Sequence, residues 1–105
     1  MGVSDNLEAA MDALVREHVS APRGEDIARE CVSIARMLIG KNKAYGDSAL
    51  SPLRVFSKAS AQEQILVRID DKLSRLSRGA AAGEDVVLDL IGYLVLLRIA
   101  QRESE

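Results

Sequence analysis

The chain has 105 residues, a formal net charge of −2, and one cysteine, Cys31, which excludes an internal disulfide and fits a reducing, cytoplasmic setting. That length suits one all-α domain with a modest core, and the slightly acidic balance argues against a nucleic-acid coat or a membrane-surface module. Apolar residues make up 48% of the chain, yet the only aromatics are two Tyr and one Phe. Leu, Ile, Val and Ala must therefore build the interior, and a stacking platform for single-stranded nucleic acid is missing.

The opening MGVSDNLEAA has no basic region followed by an apolar run, so no signal peptide is expected. Instead, Ser4 or Asp5 caps a first helix over about 4–18, with Leu7, Ala10, Met11, Leu14, Val15 and His18 at i, i+3, i+4 spacing. His18 reads as a residue of the helix end and not as a ligand. Pro22 and Gly24 break the chain in a turn over 20–24.

A second helix is predicted over about 25–42. Its buried face comprises Ile27, Ala28, Cys31, Ile34, Ala35, Leu38 and Ile39, which places Cys31 in the core. Asp26 and Glu30 flank that face one turn apart, and the helix dipole accounts for Asp26 better than for Glu30. The run from Gly40 to Asp47 is expected to close the helix, and Pro52 interrupts the long non-periodic stretch of about 43–59. Lys41, Lys43, Tyr45 and Asp47 cluster at its start. They suit a phosphorylated ligand, or equally a basic helix end running into a solvated loop.

The third helix, about 60–78, buries Ile65, Leu66, Ile69, Leu73 and Leu76. Arg68, Lys72 and Arg75 line one flank as an anion-binding ridge or a solvated face. Asp71 points toward the back, outside any site formed by one chain. After the short link Gly79–Gly83 comes the fourth helix, about 84–101, in GEDVVLDLIGYLVLLRIA. Val86, Val87, Leu90, Tyr93, Leu94 and Leu97 form one wide apolar face and most of the remaining surface is apolar too, so the helix needs covering on several sides, and a homodimer or higher homo-oligomer through it is expected. Asp85, Asp89 and Arg98 argue against reading it as a membrane span.

Asp89 sits in the middle of that greasy helix, with Asp85 one turn earlier. A buried carboxylate without a partner costs several kcal/mol, roughly, so Asp89 should be paired or should hold a cation. Asp26/Glu30 and Asp85/Asp89 place two carboxylate pairs on two helices. If the pairs meet, hard oxygen ligands without a His or Cys cluster favour Mg²⁺ or Mn²⁺. The other reading makes Asp85 a cap and Asp89 the partner of an arginine from the third helix. The chain lacks GxSxG, HExxH and GxxxxGK[ST] motifs and has a single histidine, which disfavours triads and zinc hydrolases.

The runs KNKAYGD, RIDDKLSRL and GEDVVLDLIGYLVLL resemble small phage-associated proteins grouped as nucleotide modification associated domain 1. The resemblance covers roughly residues 36–100. It extends to the all-α nucleoside-triphosphate pyrophosphatases (MazG-like and dCTPase-like enzymes), whose ExxE and ExxD helices hold Mg²⁺. It implies a four-helix bundle that binds or hydrolyses a dNTP or NTP. In that picture Glu30 and Asp89 are catalytic, and Glu30, Asp85 and Asp89 hold the metal. Lys41, Lys43, Arg68, Lys72 and Arg75 neutralise phosphate, while Tyr45 or Tyr93 contacts base or sugar. Val86 and Ser33 depart from the pattern, standing where the pyrophosphatase helices carry acids. The competing class is a non-catalytic helical oligomer that sequesters a nucleotide or docks onto a partner protein.

Overall fold

The structure is a computed structural model that describes residues 3–17, 23–79 and 83–104. The described residues form four helices and no strand: α1 (Val3–Glu17), α2 (Gly24–Tyr45), α3 (Ala61–Arg78) and α4 (Val86–Glu103). The all-α class is as expected from the periodicity. His18, the turn residues Ser20, Ala21 and Pro22, and the centre of the Gly79–Gly83 link lie outside the described residues. No helix among the described residues is long and apolar enough to cross a membrane. The chain groups into two compact units, Met1–Gly40 and Lys41–Glu105.

In the first unit, Arg36 of α2 pairs with Glu8 and reaches Asp12 of α1 at 4.0 Å. Asp12 and Arg16 share a cleft with Arg29, Val32 and Ser33, so α1 and α2 run antiparallel. Ala28 and Val32 are the buried positions of α2, with Ile34, Ala35 and Leu38 half-buried. Ile27, Cys31 and Ile39 are exposed, a correction to the expected buried face. Ile27 lies about 100° around the helix from Ala28, and Cys31 about 100° from Val32, and a single neighbouring helix covers only one strip.

The second corrected boundary is the end of α2. Gly40 lies inside the helix, and the helix runs on to Tyr45, so Lys43 and Tyr45 occupy its last turn and not a loop. A glycine inside a helix costs about 1 kcal/mol relative to alanine but does not stop it. The stop is Gly46, at φ 63°, where the Asp47 N–H donates to the Asn42 carbonyl at 3.2 Å. That bond closes a Schellman cap. Asp47 also takes a left-handed φ of 62°, and its carbonyl accepts from the N–H groups of Leu50 and Ser51.

In the second unit, α3 starts where Ser60 accepts a hydrogen bond from the Glu63 N–H at 3.1 Å, and it ends at Gly79. It packs antiparallel on α4 around Ile65, Ile69 and Ala100, with Leu50, Leu90, Tyr93, Leu96 and Leu97 against that cluster. Leu66, Leu73 and Leu76 are exposed, contrary to expectation. With α4 as its only partner among the described helices of the unit, α3 buries a narrow stripe through Ile65 and Ile69 that continues into Lys72. On α4, Val86, Gly92 and Ala100 are buried, whereas Val87, Leu94 and Val95 are exposed.

Candidate functional site

Positions 65, 69 and 72 follow i, i+4, i+7 spacing on α3, which carries the Lys72 side chain into the seam with α4. Only 15% of that side chain is exposed. The Lys72 ammonium lies 3.4 Å from Glu84 Oε1 and 3.4 Å from Asp89 Oδ2. From the last turn and a half of α2, Lys41 Nζ reaches the other oxygen, Asp89 Oδ1, at 3.7 Å. The Asp89 side chain is 27% exposed and is gripped between two lysines.

The pairing continues outward. Glu84 Oε1 also accepts from Arg75 Nη1 at 3.0 Å, and Arg75 Nε donates to Asp71 Oδ2 at 3.1 Å. Charges therefore alternate along Lys41, Asp89, Lys72, Glu84, Arg75 and Asp71, entirely within the second unit. Attraction to Asp71 and then to Glu84, with a hydrogen bond to Glu84, raises the Arg75 pKa above its ordinary value. A half-buried chain of this kind satisfies each charge locally, so none carries the full cost of an isolated ion in a dry setting.

Of the residues singled out in the sequence, the structure brings together Lys41, Lys72, Arg75 and Asp89. Asp85 is the N-cap of α4, its carboxylate accepting from the Leu88 N–H at 2.9 Å. Tyr93 packs against the α3–α4 core, and Tyr45 is exposed at the end of α2. Lys43 and Arg68 are exposed and form no ion pair among the described residues; the Asp47 carboxylate accepts from the Ser51 hydroxyl at 3.4 Å. Glu30 is an exposed residue of the first unit, and Asp26 there pairs with Arg23 at 3.2 Å. Among the described residues, no group of three or more His, Cys, Asp or Glu is placed to hold a metal ion.

Asp71, expected to point away from any site, pairs with Arg75 one turn on, and Glu84 is a member that sequence reasoning missed. Glu84 lies outside the helical stripe, one residue before the cap, so periodicity carried no sign of it. The available signal was an acid beside a helix start, opposite the cationic flank of α3. Next to Glu84 and Asp85, an open groove of about 410 Å³ is walled by Leu76, Val86 and Val87. The chain matches no family model, no curated protein and no solved structure.

Proposed function

We propose that the second unit binds a nucleoside or deoxynucleoside triphosphate through its phosphates at the Lys41–Asp89–Lys72 cluster. This makes the chain a nucleotide-binding protein of phage-type nucleotide metabolism with Mg²⁺-dependent pyrophosphohydrolase chemistry. The observation that carries the reading is one carboxylate held between two lysine ammonium groups, with Glu84, the other acid on Lys72, lining a groove.

Mg²⁺ usually keeps several waters and binds through one or two carboxylates plus substrate phosphates. A single acid beside two cations suits that mode better than a cage made of protein ligands. Such an ion would polarise a phosphoryl oxygen and activate water. Lys41, Lys72 and Arg75 would neutralise phosphate charge, and Asp89 would be the carboxylate that holds the ion. Leu76, Val86 and Val87 offer the base an apolar wall in place of Tyr93, which the core occupies. The reading rests on the second unit alone, and Glu30 is not required for it.

Incubation with a panel of dNTPs and NTPs plus Mg²⁺, followed by pyrophosphate detection, tests the proposal. Release from at least one nucleotide supports it. No release, with a nucleotide-induced rise in melting temperature that needs no metal, identifies a sequestering protein. Absence of both effects identifies a protein-docking module.

That second reading has its own support. Every acid in the network already has a cationic partner, and α4 exposes Val87, Leu94 and Val95. These exposed residues also motivate a homodimer or higher oligomer through α4. Sedimentation of the wild type against Leu94→Glu reads it: an oligomer that the substitution dissociates supports the assembly, and a wild-type monomer removes it.

A further inference from the structure

We infer that the cleft between α1 and α2 in the first unit binds a small phosphate-bearing anion. It has a volume of about 390 Å³ and is lined by Asp12, Arg16, Arg29, Val32, Ser33 and Arg36. Three arginines from two helices line it with Asp12, while Glu25 and Glu8 hold Arg29 and Arg36 from outside the lining. The size lies near the lower end of small-molecule sites, roughly 300–1,000 Å³, which favours a phosphate or phosphomonoester over a polymer.

The arginines are held but not used up. Arg29 gives both Nε and Nη2 to a single oxygen of Glu25, at 2.9 and 2.6 Å. Among the described residues, Arg36 uses only Nη2, toward Glu8 and Asp12. A guanidinium carries five N–H donors in a planar fork, so each side chain retains donors while its acid partner fixes its direction. Residues 29, 33 and 36 share one face of α2, with Ser33 between the two arginines along the helix. Arg16 approaches from α1. Guanidiniums with spare donors lining one cleft, two of them anchored by acids, match the several acceptor oxygens of a phosphate. The inference concerns the first unit and is independent of the reading given for the second.

The test is titration of the intact chain with inorganic phosphate at pH 7.5 and constant ionic strength. The readout is the ¹⁵N-resolved Nε–H signals of Arg16, Arg29 and Arg36, with chloride as the control anion. Saturable shifts of these signals are expected, and Arg16→Gln should weaken binding about tenfold through loss of a charge-assisted contact. Asp12→Asn should tighten it, and Arg16→Lys, which keeps the charge, should retain part of the affinity. A nucleoside 5′-monophosphate added in a parallel series separates the sources. Tighter binding than phosphate assigns the site to a phosphomonoester, and equal binding assigns it to the free anion. Non-saturating shifts, shifts matched by chloride, or unchanged affinity in Arg16→Gln with both helices intact by circular dichroism would overturn the inference.

Discussion

The Lys72 ammonium sits 3.4 Å from Asp89 Oδ2, joining the fourth turn of α3 to the first turn of α4. The same nitrogen meets Glu84 at 3.4 Å, so one lysine answers two carboxylates on the approach to α4. With 15% of its side chain exposed, this contact is less screened than a surface pair. Lys72→Ala removes the cation and leaves two acids facing each other. It should lower stability by about 1–3 kcal/mol, read as a fall in the urea midpoint with an unchanged slope. An unaltered midpoint would mean that the pairing contributes nothing to the fold.

Asp85 separates a structural role from a metal-binding one. Its carboxylate caps α4 through the Leu88 N–H at 2.9 Å. Asp85→Ala should cost about 1 kcal/mol, whereas Asp85→Asn should keep the cap and most of the stability. Thermal melting reads both variants. If Asp85→Asn keeps its melting temperature but loses the Mg²⁺ dependence of nucleotide binding, the residue serves the metal as well as the helix.

The same substitution should act with opposite sign at two glycines of one helix. Gly40 is helical and a methyl group there meets nothing within 4 Å, so Gly40→Ala should stabilise by about 0.5–1 kcal/mol. Gly46 has equal room but a φ of 63°, so Gly46→Ala should destabilise by about 1 kcal/mol. Chemical denaturation of the pair checks the placement of the helix end. Two changes of the same sign would contradict it.

The Arg75 network has a defined pH behaviour. A raised folded-state pKa means that the contribution of Arg75 is fully present below its unfolded value. It is lost only as pH rises through the higher folded value. Attraction to Asp71, the largest cause, and to Glu84 moves that loss into strongly alkaline solution. The effect of Arg75→Gln on the denaturation midpoint should therefore be the same at pH 6 and pH 9. An effect that fades between these two values would show that another group governs it.

Helix number and class were legible because apolar residues recur at i, i+3, i+4 spacing through each segment. The limits of α3 were legible to within a residue because Ser60 and Gly79 are strong stop signals. The end of α2 was misplaced because Gly40 and Gly46 look alike in sequence, and only a left-handed φ distinguishes a terminator from a tolerated glycine. On α4 the buried side was not legible, since a helix apolar all round has no polar face to orient it. Lys72 and Asp89 stood out as charges, but their contact depends on the register of two helices that only tertiary packing sets. Glu84 shows the same limit from the other side: a short connection delivers it to the cluster, and connections carry no periodicity.

The central claim is that Asp89 and its two lysines receive a nucleotide's phosphates together with Mg²⁺. The most direct measurement is titration of a non-hydrolysable dNTP into the wild type and Asp89→Asn, with and without Mg²⁺, by calorimetry. The account predicts saturable binding strengthened by Mg²⁺ in the wild type. It predicts loss of the Mg²⁺ enhancement in Asp89→Asn while the melting profile stays cooperative. No binding by the wild type in the presence of Mg²⁺, or an identical Mg²⁺ response in both proteins, would contradict it.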